Sequence, residues 1–152
     1  MAEEKKIEYA PYAEEDSIER GLVVWANTWP GIPEDVPIIN VEPHLAADTT
    51  GMMLTTIQSA HIVSHYILGG HKGEYQFSLV YRLKTGTSND KSLKANEALN
   101  RFGDWALAQR PDIGAGIRVL RVEPTTRAAL LGVTENGDED HQILMKLTYE
   151  VA

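Results

Sequence analysis

The chain has 152 residues, of which 43% are hydrophobic and 24% are charged, and it contains no cysteine. This length and balance predict one globular domain, and the lack of cysteine excludes disulfides, thiolate nucleophiles and zinc–thiolate sites. The net charge of -8 argues against a protein that grips nucleic acid by its phosphates, because such proteins carry clustered lysine and arginine.

The N-terminal residues 1–16 mix charges with Tyr9, Pro11 and Tyr12, which predicts a flexible arm, and residues 17–152 are predicted to form the folded domain. No apolar run approaches the ~20 residues of a membrane span. The charged start lacks the apolar core of a signal peptide, so we expect the chain to stay in the cytosol where it is made, without a membrane partner.

A first amphipathic helix is predicted to follow a cap at Asp16 or Ser17 and to end before Pro30. Its apolar stripe, with steps of four and three, is Ile18, Leu22, Trp25 and Trp29. Residues 38–41 then predict a short edge strand, since prolines flank it, and residues 44–51 an irregular loop. Residues 52–57 and 60–68 favour two strands, and the glycine-rich turn 69–73 closes a hairpin.

The central strand is predicted at residues 74–84, where apolar and polar side chains alternate with a period of two. The apolar set comprises Tyr75, Phe77, Leu79, Tyr81 and Leu83. The opposite face carries Gln76, Ser78, Arg82 and Lys84, with Val80 as the exception. We expect the apolar face to need a cover, and the polar face to meet water or another subunit.

A long second helix is predicted to run to about Arg110, where Pro111 stops it. Strands follow at residues 117–122 and 127–133, and Asn136-Gly137-Asp138 is a strong turn signal. The last strand, residues 141–151, repeats the alternation of the central strand. The predicted fold class is therefore α+β: a single domain whose antiparallel β-sheet is covered on one face by two α-helices.

No pattern in the sequence indicates catalysis, a metal site or a cofactor, so we do not expect an enzyme. His61 and His65 share one face of a strand, but zinc requires a third ligand nearby. The acidic turn 138–140 lacks the alternating oxygen ligands of a calcium loop, and no serine lies in a nucleophile elbow.

Four segments together resemble the tail-terminator and minor capsid proteins of long-tailed phages and prophages. They are GEYQFSLVYR at residues 73–82, the helix 96–105, the strand 117–122 and DEDHQILMKLTY at residues 138–149. The resemblance implies a small α+β domain that assembles into rings, commonly hexamers, which end the tail tube and join it to the head. It also implies no enzymatic activity and no cofactor. The implied partners are the tail tube protein and a head-completion protein, with location in the virion and, during assembly, in the host cytoplasm.

A ring of identical copies requires two different complementary faces on each subunit. We expect the polar sheet face and the N-terminal arm to supply them. The candidate interface residues are Gln76, Ser78, Arg82, Lys84, Arg118 and Arg121. Phage DNA would pass through such a ring without being bound specifically, since an acidic channel repels phosphates.

Two alternatives remain at this point. The sequence does not separate a terminator from a head-completion, connector or minor capsid protein of similar fold, because the motifs that carry the resemblance are structural rather than catalytic. An α+β domain of this size can also bind a small molecule, in which case a monomer with a deep apolar pocket is expected.

Overall fold

The computed structural model describes residues 6–41, 49–84, 86, 88–114 and 116–152. Most of the predicted loop 44–51 lies outside these residues. The elements in chain order are β1 (Glu8–Tyr9), α1 (Tyr12–Ala26), β2 (Ile39–Val41), β3 (Gly51–His65), β4 (His71–Leu83), α2 (Asn89–Leu107), β5 (Ile117–Pro124), β6 (Ala129–Val133) and β7 (Glu139–Val151). The α+β class is confirmed, with more sheet than helix.

One seven-stranded sheet contains all of these strands, in the order β1-β3-β4-β7-β5, with β2 also on β3 and β6 also on β7. The strands β1 and β2 lie along one edge of β3, and β5 and β6 lie along the opposite edge of β7. The pairings are antiparallel except for the short β2–β3 pair. β4 pairs with β7 without a bulge from His71↔Val151 to Leu83↔Glu139, so the predicted central and last strands are neighbours.

The core lies where the odd-numbered side chains of β4 and β7 meet the apolar stripes of both helices. Aromatic side chains at its centre join the two helices. Trp25 of α1 stacks on Trp105 of α2 with 5.1 Å between the ring centroids, and the ring centroid of Phe102 of α2 lies 5.4 Å from that of Trp29. Phe102 has no exposed surface, and burial of such a side chain contributes about 1.5–3 kcal/mol. The even-odd alternation in the sequence thus corresponds to a buried and a less buried side of the strands.

The first helix begins earlier than predicted. It starts at Tyr12, with Pro11 at the N-cap, so the predicted start after Asp16 or Ser17 is wrong. Of the predicted flexible arm 1–16, residues 8–9 form β1, which pairs with β3, and residues 12–16 form the first part of α1. The extra turn has no apolar stripe that could predict it. Polar contacts from Glu14 to His71 and Tyr149 hold it in place instead. Proline suits this position since its φ is already helical.

Other strand and helix boundaries also differ from prediction; α1, for example, ends at Ala26, short of Trp29. β3 is one strand of 15 residues rather than two, because irregularities near Gln58 let pairing with β4 continue. It ends at His65, while residues 66–70 form the hairpin turn, in which Gly69 and Gly70 adopt positive φ. α2 starts at Asn89 behind a Ser88 cap and ends at Leu107, before the predicted limit at Arg110.

Candidate assembly interface

Most polar side chains on the even-numbered face of β4 have hydrogen-bond partners within the molecule or are buried. Gln76 Nε2 donates to Gln58 Oε1 at 3.0 Å, and the Arg82 guanidinium donates to both carboxylate oxygens of Asp140 at 2.7 and 2.9 Å. Ser78 and Val80 are buried, with 1% and 2% of their surfaces exposed. The expectation that this face meets water or another subunit is therefore wrong for Ser78, which is buried, and Gln76 and Arg82 have partners within the chain. It fails because β3 and β7 flank β4 and bring Gln58 and Asp140 directly opposite.

The Arg82–Asp140 pair holds β4 to β7. Both side chains are mostly buried, at 14% and 13% exposure. The hydrogen bonds that Arg82 donates to Asp140 raise the pKa of Arg82 above its ordinary value. A two-point arginine–carboxylate contact of this kind is directional as well as strong, so Arg82 is better explained as a structural residue than as a contact for another subunit.

The other three predicted cations lie at the surface. Arg118 contacts Glu150 at 3.1 Å and Arg121 contacts Glu123 at 2.9 Å, with 78% and 58% of the arginine side chains exposed. Exposed pairs contribute only about 0–1 kcal/mol, so these arginines can exchange partners at little cost. The structure brings Arg118 and Arg121 together on the edge strand β5, whereas Lys84 follows the far end of β4.

Exposed apolar side chains are the feature that the sequence reading missed. In β6 they are Leu130, Leu131 and Val133, which are 52%, 54% and 61% exposed. At the β3–β4 turn, Ile67 and Leu68 are fully exposed. The signal available in the sequence was the uncharged run Ala-Leu-Leu-Gly-Val at residues 129–133, which has no alternating polar face.

The opposite edge of the sheet also carries exposed apolar residues. β2 covers β3 up to Leu54, and the Ala60 carbonyl accepts a hydrogen bond from the Ala10 N–H. The intervening residues 55–59 have no partner strand on this side within the described part of the chain. Ile57 lies in this open segment and is 50% exposed, and Val63, further along β3, is 43% exposed.

A cavity of about 220 Å³ lies beside this open segment, between β3 and α1. Its polar atoms include the Tyr75 hydroxyl, which is 2.6 Å from Thr56 Oγ1, and the buried Thr55 Oγ1, which has no hydrogen-bond partner among the described residues. Burial raises the pKa of Tyr75 to about 12 and also raises the pKa of Glu19 at the rim. The cavity can hold an apolar group with a hydroxyl or carbonyl contact, but its residues form no nucleophile–base pair.

The four described histidines contact carboxylates, an amide or backbone, and the rings of His65 and His71 also lie near each other, 6.2 Å apart between ring centroids. His71 Nε2 lies 3.0 Å from Glu14, His65 Nε2 lies 2.9 Å from Glu8, and His141 Nδ1 lies 2.8 Å from Asn96 Oδ1. His61, predicted to share a face with His65, contacts the Ser59 carbonyl. Within the described ranges, no three histidines and carboxylates are grouped so that they could hold a metal ion.

Two further findings bear on function. In the part of the chain that the structure describes, neither helix is long and apolar enough to cross a membrane. Neither the protein-family models nor the curated proteins compared with this chain match it.

Proposed function

We propose that this chain is a virion structural protein of a long-tailed phage, a tail terminator that forms a homo-oligomeric ring, caps the tail tube and joins the tail to the head. It acts by binding, without catalysis and without a cofactor. Its partners are further copies of itself, the tail tube protein and a head-completion protein. Its place is the head–tail junction and, during assembly, the host cytoplasm.

The observation that carries the proposal is the exposed apolar surface on both edges of one sheet. Ile57 marks one edge, and Leu130, Leu131 and Val133 mark the other. A ring of identical subunits needs two different surfaces on each copy, and exposed apolar groups that cluster at a strand edge are typical of protein contacts. The antiparallel sheet with two helices agrees with the small α+β domain that the resemblance implies.

The hairpin turn supplies a third contact surface. Ile67 and Leu68 lie in the turn between β3 and β4 and are fully exposed. An exposed apolar turn is suited to binding a protein stacked above or below the ring, such as the tail tube protein or the head-completion protein. The net charge of -8 favours passage of DNA through the ring without specific binding.

Two neighbouring functions remain candidates. A head-completion or minor capsid protein of similar fold would use the same kind of surfaces in a different layer of the junction. A small-molecule-binding domain is favoured by one observation, the cavity with the unpartnered Thr55 Oγ1.

Light scattering across a concentration series, combined with electron microscopy, tests the proposal. We expect particles of about six chain masses, seen as closed rings. Added to growing tubes of the tail tube protein from the same phage, the protein should sit at tube ends and limit tube length. Rings that bind head-completion protein but leave tubes uncapped would favour the head-side role. A chain that stays monomeric at every concentration and in the presence of tubes would overturn the proposal.

A further inference from the structure

We propose that the ring contact, on which this inference rests, joins opposite sheet edges: β6 of one copy packs against the open segment of β3, residues 55–59, in the next copy. The occupant of the β6 edge is thus a second copy of this chain. Neither surface belongs to the polar face of β4 that the sequence indicated.

The outer edge of β6 lacks two protections that edge strands of soluble proteins often have, charged side chains and proline, although its pairing with β7 is irregular between Leu130 and Gly132. Such strands are commonly shielded by charged side chains, proline or a covering element. β5, on the same side of β7, follows this rule with the exposed Arg118 and Arg121. β6 has no charge and no proline, and among the described strands it pairs with β7 alone. An uncharged apolar edge of this kind is suited to strand addition.

Among the described residues, no strand pairs with the outer side of residues 55–59 of β3, and this open segment is the counterpart on the opposite edge. It spans five residues between the end of the β2 pairing at Leu54 and the contact of Ala60 with Ala10. β6 also has five residues. The cavity lined by Thr55 and Thr56 adjoins this segment, so an apolar side chain of the incoming strand has a place to be buried.

The distribution of charge indicates that unlike edges meet. Residues 117–133, which include β5 and β6, carry Arg118, Arg121 and Arg127 against Glu123, a net charge of +2. Residues 6–19, which include β1 and the start of α1, carry five acidic residues and one lysine, a net charge of -4. Two β6 edges facing each other would place arginines together, whereas β6 facing the β3 side places arginines near carboxylates. Contact between unlike edges is heterologous, the type that closes into rings.

Two edge-blocking variants test the contact. Leu131→Lys places a charge on β6, and Ile57→Lys places one on the open segment; both side chains are about half exposed, so the fold should tolerate them. We expect each variant alone to lose the ring and to have the mass of one chain by light scattering. An equimolar mixture should form dimers, because each variant retains the edge that the other lacks, and this recovery also shows that both are folded.

Leu68→Lys is the matched control, since it makes the same change at a fully exposed position outside both edges; we expect it to keep the wild-type mass. The inference is overturned if either edge variant keeps the ring, if the mixture stays monomeric, or if Leu68→Lys also dissociates the ring. Ile57→Lys forming dimers by itself would indicate contact between two β6 edges and would also overturn it. In these cases a wild-type ring leaves the proposed function standing, whereas a monomeric wild type removes both.

Discussion

Three tyrosines place their hydroxyl groups in largely buried polar contacts. Tyr149 donates to Glu14 and Tyr81 donates to Asp35, at 2.6 and 2.7 Å, while the Tyr75 hydroxyl lies 2.6 Å from Thr56 Oγ1. Burial raises the pKa of all three, to about 12 for Tyr75, and the carboxylate partners of Tyr81 and Tyr149 raise theirs further. In the folded protein these phenols therefore stay neutral at a pH where free tyrosine ionises.

Alkaline pH should destabilise the protein through these tyrosines. Above the ordinary tyrosine pKa near 10, the unfolded chain loses phenolic protons that the folded chain keeps, so stability is full below about pH 10 and falls above it. Each such tyrosine contributes a slope of about 1.4 kcal/mol per pH unit. Urea unfolding between about pH 9 and 11 measures it, and Tyr149→Phe should reduce the slope by about one third. Identical slopes for both proteins would contradict this.

The Arg82–Asp140 pair should matter more to stability than the exposed Arg118–Glu150 pair. Arg82→Ala leaves a mostly buried carboxylate without its two-point partner, and we expect a loss of about 2 kcal/mol in the free energy of unfolding. Arg118→Ala is the matched control and should cost less than about 1 kcal/mol. Urea unfolding measures both. A comparable loss in the free energy of unfolding for the two variants would show that the buried Arg82 pair stabilises the fold no more than the exposed Arg118 pair.

Among the strands, β4 and β7 show how a pairing shapes its residues. Gly73 of β4 lies opposite Tyr149 of β7, and the Tyr149 ring occupies the space that a side chain at position 73 would need. The tyrosine thus covers the glycine and reaches Glu14 of α1. The glycine is required here by close packing rather than by a turn.

Gly73→Ala should therefore destabilise the protein by displacing a buried ring. We expect a loss of about 1–3 kcal/mol, the usual cost of overpacking. Gly132→Ala is the control, because Gly132 also lies in a strand but a methyl group there would meet nothing within 4 Å. Thermal unfolding followed by circular dichroism compares them. Equal melting temperatures for the two variants would contradict the packing argument.

For the assembled molecule, stability and association should be linked. Because rings form only from folded chains, mass action makes the melting temperature rise with protein concentration. The wild type should show this rise, and Leu131→Lys should not, because its β6 edge is blocked. Calorimetry across a concentration range measures the difference. A concentration-independent melting temperature for a wild type that forms rings would show that ring formation does not stabilise the fold.

The prediction from sequence succeeded where a pattern is local. Alternation over residues 74–84 identified the central strand, and the glycine-rich stretch identified the hairpin turn. Ile18, Leu22 and Trp25 of the predicted stripe form the buried face of α1, whereas Trp29 lies beyond its end at Ala26. The prediction missed the first turn of α1, which polar contacts hold in place, and split β3, whose irregular pairing interrupts the alternation. The contacts that form these two features join residues far apart in the chain, so they leave no local pattern in the sequence.

The candidate interface depended on information that a linear pattern does not contain. Alternation assigns Ser78 and Arg82 to one face of β4, but whether that face is open depends on which strands lie beside it. The register brings Asp140 opposite Arg82 from 58 residues away and leaves β6 at an edge. The periodicity of side chains within a segment reflects the helix or strand geometry of that segment alone. Burial, ion pairing and edge exposure arise from contacts between distant segments, and these exist only once the sheet has formed.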